Sequence, residues 1–315
     1  MKLFGLTATA LCVLMLYAAP VAAQRQQPEA AARSVDLGLK EIPEAQIDAY
    51  VAKSNGVVGV LNSSMRGSES WRRYLSWVDV KKGPTGKERI IYGLYSVGSS
   101  SKDAIEKARK SAAAEPAIPA LDGATKELAA AFEALVPILN DAEAYYDRKD
   151  YLSDGMKGGR ELHAKLVPAA SAFLSARMKT EQLQEQFKDL FDRQQLARIE
   201  KAEGKSVRWH TRNTMMLAKK AVDLMPRDPR KPGDLKAFDA ALTEFGEAVR
   251  TFDTAVRESG KSGSVDSYPR DILGKLREMR ANLSKGRVDP MTFSMDVDGV
   301  ITRYNMMITM SNAFR

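Results

Sequence analysis

Thiols are almost missing from this chain. Its one cysteine, Cys12, sits in the first apolar run, so the remainder can build no disulfide, thiolate ligand or Cys–His nucleophile. Histidine is nearly as scarce: only His163 and His210 occur, and neither belongs to a Glu-x-x-His or His-x-x-x-His pair of the kind that zinc and di-iron centres use. Aromatic residues are 7% of the chain and β-branched runs are few, which disfavours sheet. No Gly-x-Ser-x-Gly elbow supports a serine nucleophile. After Ala19 no apolar stretch reaches the ~20 residues needed to cross a bilayer. The sequence therefore predicts no catalytic residue, no metal and no cofactor.

The first residues carry an address. Lys2, the uncharged run Leu3 to Ala19, the break at Pro20 and the small residues Val21-Ala22-Ala23 predict a signal peptide over 1–23, cut before Gln24. The mature protein is then periplasmic or secreted. Residues 24–41, rich in Gln, Ala and Glu, read as a flexible tether. The formal charge is +8, and loss of Lys2 takes it to +7. In an exported protein the polyanions within reach are lipid headgroups and acidic envelope polymers, with no nucleic acid among them. Acidic and basic residues are interleaved, as on a solvated helical surface.

From Ile47 onward apolar residues recur at four–three spacing, which puts one apolar seam on each helix. One stripe runs Ile47, Val51, Ser54, Val58, Leu61, Met65. The next is Leu121, Thr125, Leu128, Phe132, Leu135, Leu139, Ala142, Tyr146. The longest runs from Leu162 through Phe173, Leu183 and Phe187 to Ala197. Others run from Val207 to Leu224, Phe238 to Val256, Ile272 to Leu283 and Val297 to Ser311. The expected fold is all-α: an elongated antiparallel bundle over residues 42–315, read as one domain, with a long coiled-coil-like helical hairpin and a short-helix aromatic cap.

Turn residues divide the stripes. Asp147 to Gly159 joins two of them as a helical hairpin. Its centre near Leu152 places Pro137 and Pro168 at one level. The prolines at 226, 229 and 232 force an extended connection, and further breaks fall at 260–269 and 286–290. Trp71 to Val78 reads as a short helix, 81–86 as a loop, and Glu88 to Tyr95 as a second short helix.

The segments Tyr74-Leu-Ser-Trp-Val-Asp79 and Gly83-Pro-Thr-Gly-Lys-Glu-Arg-Ile-Ile-Tyr-Gly-Leu-Tyr95 resemble the YiiG-like family of bacterial envelope lipoproteins of unknown function. The likeness continues through Tyr145-Tyr146-Asp147, Asp150-Tyr151, Leu162-His163, Glu203-Gly204-Lys205 and Trp209-His210-Thr211. It implies an exported helical protein and brings no activity or catalytic residues. Cys12 departs from the pattern: it follows Thr9-Ala10-Leu11, with Leu where lipoprotein processing needs a small residue. The expectation is a chain without a lipid anchor.

Among candidate sites, Gly83 to Lys87 has too few residues between its glycines for a phosphate-binding loop. Ser294 to Gly299 copies part of a calcium loop but lacks both anchoring carboxylates. Met306, Met307 and Met310 could offer thioethers to Cu(I), though methionine at such spacing also fills cores. His210, beside Trp209 on a seam, reads as a hydrogen-bonded structural residue. The best candidate surface is aromatic and basic: Trp71, Trp77, Lys82, Lys87, Arg89 and Tyr92, with Tyr74, Tyr95 and Lys81 close in sequence. Its partner would be an envelope protein, a glycan or a lipid headgroup. The favoured function is exported binding or scaffolding. One alternative is an envelope enzyme with Asp79, Lys87, Asp147, Asp150 or Asp154 converging; another is a membrane-surface protein. A buried, pKa-shifted carboxylate cluster would mark the enzyme, and a solvated arrangement the binding module.

Overall fold

The computed structural model describes residues 36–260, 266–286 and 288–313. The leader expected at 1–23 and the tether residues 24–35 lie outside the described residues. Every regular element among the described residues is helical, so the fold is all-α. Packing gathers the chain into two compact units, one ending at Leu190 and the other beginning at Phe191.

The first unit holds α1 (Ile47–Ser63), α2 (Met65–Leu75), α3 (Ser100–Ala113), α4 (Pro119–Asp147), the single turn α5 (Tyr151–Asp154) and the first part of α6 (Lys157–Glu203). Pro119 opens α4, where its missing N–H costs nothing. The α4 stripe from Leu121 to Tyr146 is buried at every position named from the sequence. Thr180 Oγ1 donates to Ala124 O at 3.0 Å, Lys179 Nζ to Glu127 Oε2 at 2.7 Å, and the Phe132 and Phe173 rings lie 5.4 Å apart. Each step up α4 is thus matched by a step down α6, the antiparallel hairpin centred near Leu152. Pro137 and Pro168, both inside helix, fall opposite one another in that register.

Buried polar groups tie the other helices to this hairpin. Lys53 Nζ donates to Asp122 Oδ1 at 2.6 Å and to Ser111 O at 3.0 Å, while Asp122 Oδ2 accepts the Ile118 N–H at 2.8 Å. One ion pair thereby joins α1, α3 and α4. At the end of α1, the buried Arg177 guanidinium of α6 donates to Leu61 O and Ser64 Oγ and pairs with Glu181. Gly56 permits the close approach of α1 and α3, since a Cβ there would lie 2.3 Å from Ser111 Cβ. Near the other end of the unit, Leu37 is buried and its N–H donates to Gln186 Oε1; the last residues of the expected tether lie on the helices.

Three details differ from the sequence reading. The buried face of α1 includes Tyr50, Lys53 and Val57, broader than the single expected seam and turned away from Ile47 and Val51, because α3 also packs on this helix. Helix α3 itself belongs to none of the stripes. Most consequentially, residues 88–95 form no helix: the chain there is an irregular strap.

The second unit comprises the rest of α6, α7 (Val207–Leu224), α8 (Leu235–Ser259), α9 (Tyr268–Ser284) and α10 (Pro290–Ala313). Its core is Phe238, Phe245, Ile272, Leu276, Met279, Phe293, Val297 and Val300. Ser206 Oγ caps α7 and Asp234 caps α8. The seam of α7 is Thr214, Ala218, Ala221 and Val222, one position round from the expected stripe, so Leu224 is exposed. Ser294 to Gly299 lies within α10 and is no loop. Met307 is core, whereas Met306 is exposed. His210 is half-buried beside Trp209, and its Nδ1 is buried with no hydrogen bond, which corrects the hydrogen-bonded role expected of it. Burial and nearby Lys205 lower its pKa. No helix among the described residues is long and apolar enough to cross a membrane.

Candidate functional site: a strap over an aromatic cluster

At the hairpin end of the first unit, aromatic residues from four separate stretches of chain meet. Tyr74 is the hub, with ring centroids 5.7 Å from Trp71, 5.4 Å from Trp77, 6.3 Å from Tyr146 and 5.9 Å from His163. Trp77 and Tyr145 both meet Tyr146 edge-on at 5.0 Å, and Tyr151 lies 6.2 Å from it. Such pairs contribute roughly 0.5–1.5 kcal/mol each beyond area burial. Two glycines at the start of α6 make room. A Cβ on Gly159 would lie 2.8 Å from the Tyr146 hydroxyl, and one on Gly158 would lie 2.7 Å from the Tyr145 ring.

His163 is the polar centre. Its Nε2 lies 3.1 Å from Val80 O. A carbonyl only accepts, so Nε2 carries the hydrogen and Nδ1 is the acceptor in the neutral ring. The Tyr74 hydroxyl, 3.0 Å from Nδ1, therefore donates to it. Burial pushes the ionisation of Tyr74 and Tyr146 well above the ordinary tyrosine value. The buried Tyr146 hydroxyl makes no well-formed hydrogen bond, although Tyr74 lies near enough to affect its ionisation. Tyr145 is pushed up to about 12, first by burial and then by donating to Asp154 Oδ1 at 2.8 Å.

The strap is held by side chains. Trp77 Nε1 donates to Gly93 O at 3.1 Å and Arg73 Nε to Tyr92 O at 2.8 Å. Ser70 Oγ donates to Tyr95 O and lies 3.1 Å from the Tyr95 N–H. Asn140 clamps Val97 at both ends: its Oδ1 accepts the Val97 N–H at 2.8 Å, and its Nδ2 donates to Val97 O at 3.1 Å. Two guanidinium groups lie over the Tyr95 ring, Arg66 at 4.1 Å and Arg73 at 4.5 Å from its centroid. These bonds replace the helical ones that 88–95 lacks, and Gly93 takes φ 66° at the bend.

The expected site residues divide into two layers. Trp71 is buried, Trp77 half-buried, and both are engaged in the cluster. Lys82, Lys87, Arg89 and Tyr92 are exposed on the strap and its leading loop. Gly83 to Gly86 makes the expected turn without a following helix. Glu88 closes it by accepting from Thr85 N, Thr85 Oγ1 and Gly86 N. Burial works to raise the Glu88 pKa, and those bonds outweigh it, so the net shift is downward.

The carboxylates named as possible acid–base groups do not form a buried cluster. Asp79 is exposed and held low by the Lys82 and Lys81 N–H groups it accepts. Asp154 is lowered by the Gly158 N–H. Asp150 pairs with Arg148, and Asp147 is exposed. Each of the first three fastens a turn. Among the described residues no group of three His, Cys, Asp or Glu could hold a metal. Sequence reasoning missed Tyr145, Tyr146, Tyr151 and His163 as members of this site; their signal was their position on either side of the hairpin centre.

Most of the segments that carry the family resemblance meet here, Tyr74 to Asp79, Gly83 to Tyr95, Tyr145-Tyr146, Tyr151 and His163, whereas Glu203 to Lys205 and Trp209 to Thr211 belong to the second unit. Comparison with known proteins agrees. The chain is 29% identical over 257 residues to the uncharacterized protein YiiG of Escherichia coli strain K12, covering 79% of this chain and 68% of that one. No solved structure matches it. A family model described as a protein of unknown function, DUF3829, matches residues 44–284, and the chain belongs to that family.

Proposed function

We propose that this protein is an exported binding or scaffolding component of the bacterial envelope, docking its partner on the strap and the loop before it. The observation that carries this reading is the separation of roles between the two layers. Trp77 of the aromatic cluster, together with Ser70, Arg73 and Asn140, fixes the strap from beneath, and Lys81, Lys82, Lys87 and Arg89 are exposed. These four cations make no ion pair within 4 Å among the described residues. The solvated, turn-fastening carboxylates favour a binding module over a carboxylate enzyme. Export rests on the leader expected at 1–23, and the absence of a lipid anchor rests on Leu11 before Cys12.

Two measurements test this. Intact mass of the protein from its own host should show loss of residues 1–23 and no diacylglyceryl group; an adduct at Cys12 would overturn the anchor-free form. A photo-crosslinking residue at Tyr92 should give an adduct in living cells. If a probe at Tyr92 stays unreacted while the same probe on α9 reacts, the strap is not the docking face.

A further inference from the structure

We infer that the surface the strap engages is an anionic phospholipid bilayer. This rests on the docking reading above and names its partner. Residues 66–92 carry seven cations (Arg66, Arg72, Arg73, Lys81, Lys82, Lys87, Arg89) against three carboxylates. All three carboxylates are occupied: Glu69 by Arg66, Asp79 by the Lys81 and Lys82 N–H groups, Glu88 by Thr85 and Gly86. Set among the cations are side chains with no reason to face water: Leu75, Val80 (42% exposed), Ile90 (49%) and Tyr92 (48%). Large exposed apolar residues close in sequence to Lys81, Lys82, Lys87 and Arg89, cations with no ion pair among the described residues, suit the bilayer interface. There the ammonium and guanidinium groups reach phosphates while aliphatic tips and a tyrosine ring enter the acyl boundary.

The other partner classes fit less well. Peptide capture by strand addition needs free backbone groups, yet along 92–97 side chains of α2, of α4 and of Trp77 already hold Tyr92 O, Gly93 O, Tyr95 N and O, and Val97 N and O. A glycan platform needs open ring faces. Trp71 and Trp77 spend theirs on Tyr74 and Tyr146, the Tyr95 ring is taken by Arg66 and Arg73, and the half-exposed Tyr92 ring, with Arg73 6.0 Å from its centroid, is a single ring and no platform. What remains outward is charge and aliphatic surface. A bilayer recognises those without a shaped pocket.

The test is sedimentation of the purified protein with vesicles of phosphatidylcholine alone or mixed with phosphatidylglycerol. Binding is expected only with phosphatidylglycerol and should fade as salt rises. At about 1 kcal/mol per cation near an anionic surface, each lost charge lowers the partition coefficient roughly fivefold. Lys82→Gln with Lys87→Gln should then lower it about twentyfold or more. Ile90→Ser with Tyr92→Ser should also weaken binding while leaving its salt dependence in place. Lys110→Gln with Lys126→Gln, the same charge change placed toward the opposite end of α4, should leave strap binding within about twofold. Circular dichroism checks that each variant keeps its helix. Equal binding by the strap and control variants would overturn the proposal, as would equal binding to both vesicle types. A single protein, and no lipid, crosslinked at Tyr92 would refute the bilayer while preserving the strap as a docking face; no adduct at all would remove both.

Discussion

Replacing Asn140 by alanine isolates the forces that hold the strap. This one side chain satisfies both backbone polar groups of Val97, and Val97 is itself buried. Two neutral hydrogen bonds contribute about 1 kcal/mol each net. Removing both should favour local opening of the strap by about 2 kcal/mol, nearly thirtyfold in the opening equilibrium. If the segment stayed in place, a buried N–H and a buried C=O would be orphaned at roughly 1–3 kcal/mol each. Those penalties would add to the drive toward opening, so about 2 kcal/mol is the lower bound.

Native-state hydrogen exchange on peptides covering 92–98 should therefore accelerate by at least about the same factor. Exchange in α8, in the other unit, should not change. Asn140→Asp gives an internal check: its carboxylate can still accept the Val97 N–H but now faces the Val97 carbonyl, so exchange should rise further than one lost bond explains. Unchanged exchange over 92–98 in Asn140→Ala would refute the reasoning. It would mean that Ser70, Arg73 and Trp77 hold the strap without the Val97 clamp.

Two further expectations concern stability. Lys53→Met should destabilise the first unit by about 3–5 kcal/mol, because it leaves the Asp122 carboxylate buried and unpaired; adding Asp122→Asn removes the charge, keeps an oxygen for the Ile118 N–H, and should recover most of that loss in chemical denaturation, whereas a double variant no more stable than the single would contradict this account. Tyr74, Tyr145 and Tyr146 all ionise above their unfolded value of 10.0, so their contribution to stability is complete below pH 10 and is lost as pH rises, through about 12 for Tyr145. Alkaline titration followed by tyrosinate absorbance and circular dichroism should show ionisation of these groups coinciding with unfolding, and early ionisation in a still-folded chain would count against their burial.

How much of this was legible depended on what each helix packs against. In α4 and α8 one neighbour-facing stripe dominates, and Leu121 to Tyr146 and Phe238 to Phe252 are buried as the spacing predicts. In α1 a second partner widens the buried face, and the lysine at 53 goes inside because Asp122 awaits it, which no periodicity announces. Helix α3 escaped because its buried face is Ser101, Ile105, Ala108 and Ala112, too small and polar to stand out. Residues 88–95 were misread for a different reason. Ile91, Leu94 and Tyr95 stand at helical spacing, but the bonds that fix the strap come from Ser70, Arg73, Trp77 and Asn140, outside any local window.

The hidden half of the site was within reach by one more step. Antiparallel pairing about Leu152 sets residues whose numbers sum to about 304 across from one another, as Ala124–Thr180 and Lys179–Glu127 show. Carried to the turn, that register puts Tyr145 and Tyr146 opposite Gly159 and Gly158. Two bulky rings facing two glycines is a packing statement: the rings lie on the α6 backbone, which only glycine permits at the distances observed. Rings that rest on one helix leave the remainder of their surface to whatever covers the end of the hairpin. Both tryptophans of the first unit lie at 71–77, beside an aromatic-rich segment that belongs to no long stripe, so the cluster is consistent with the register and the composition together. Burial of Trp71 and half-burial of Trp77 fit as well, and the outward face passes to the cations and aliphatic residues of the strap.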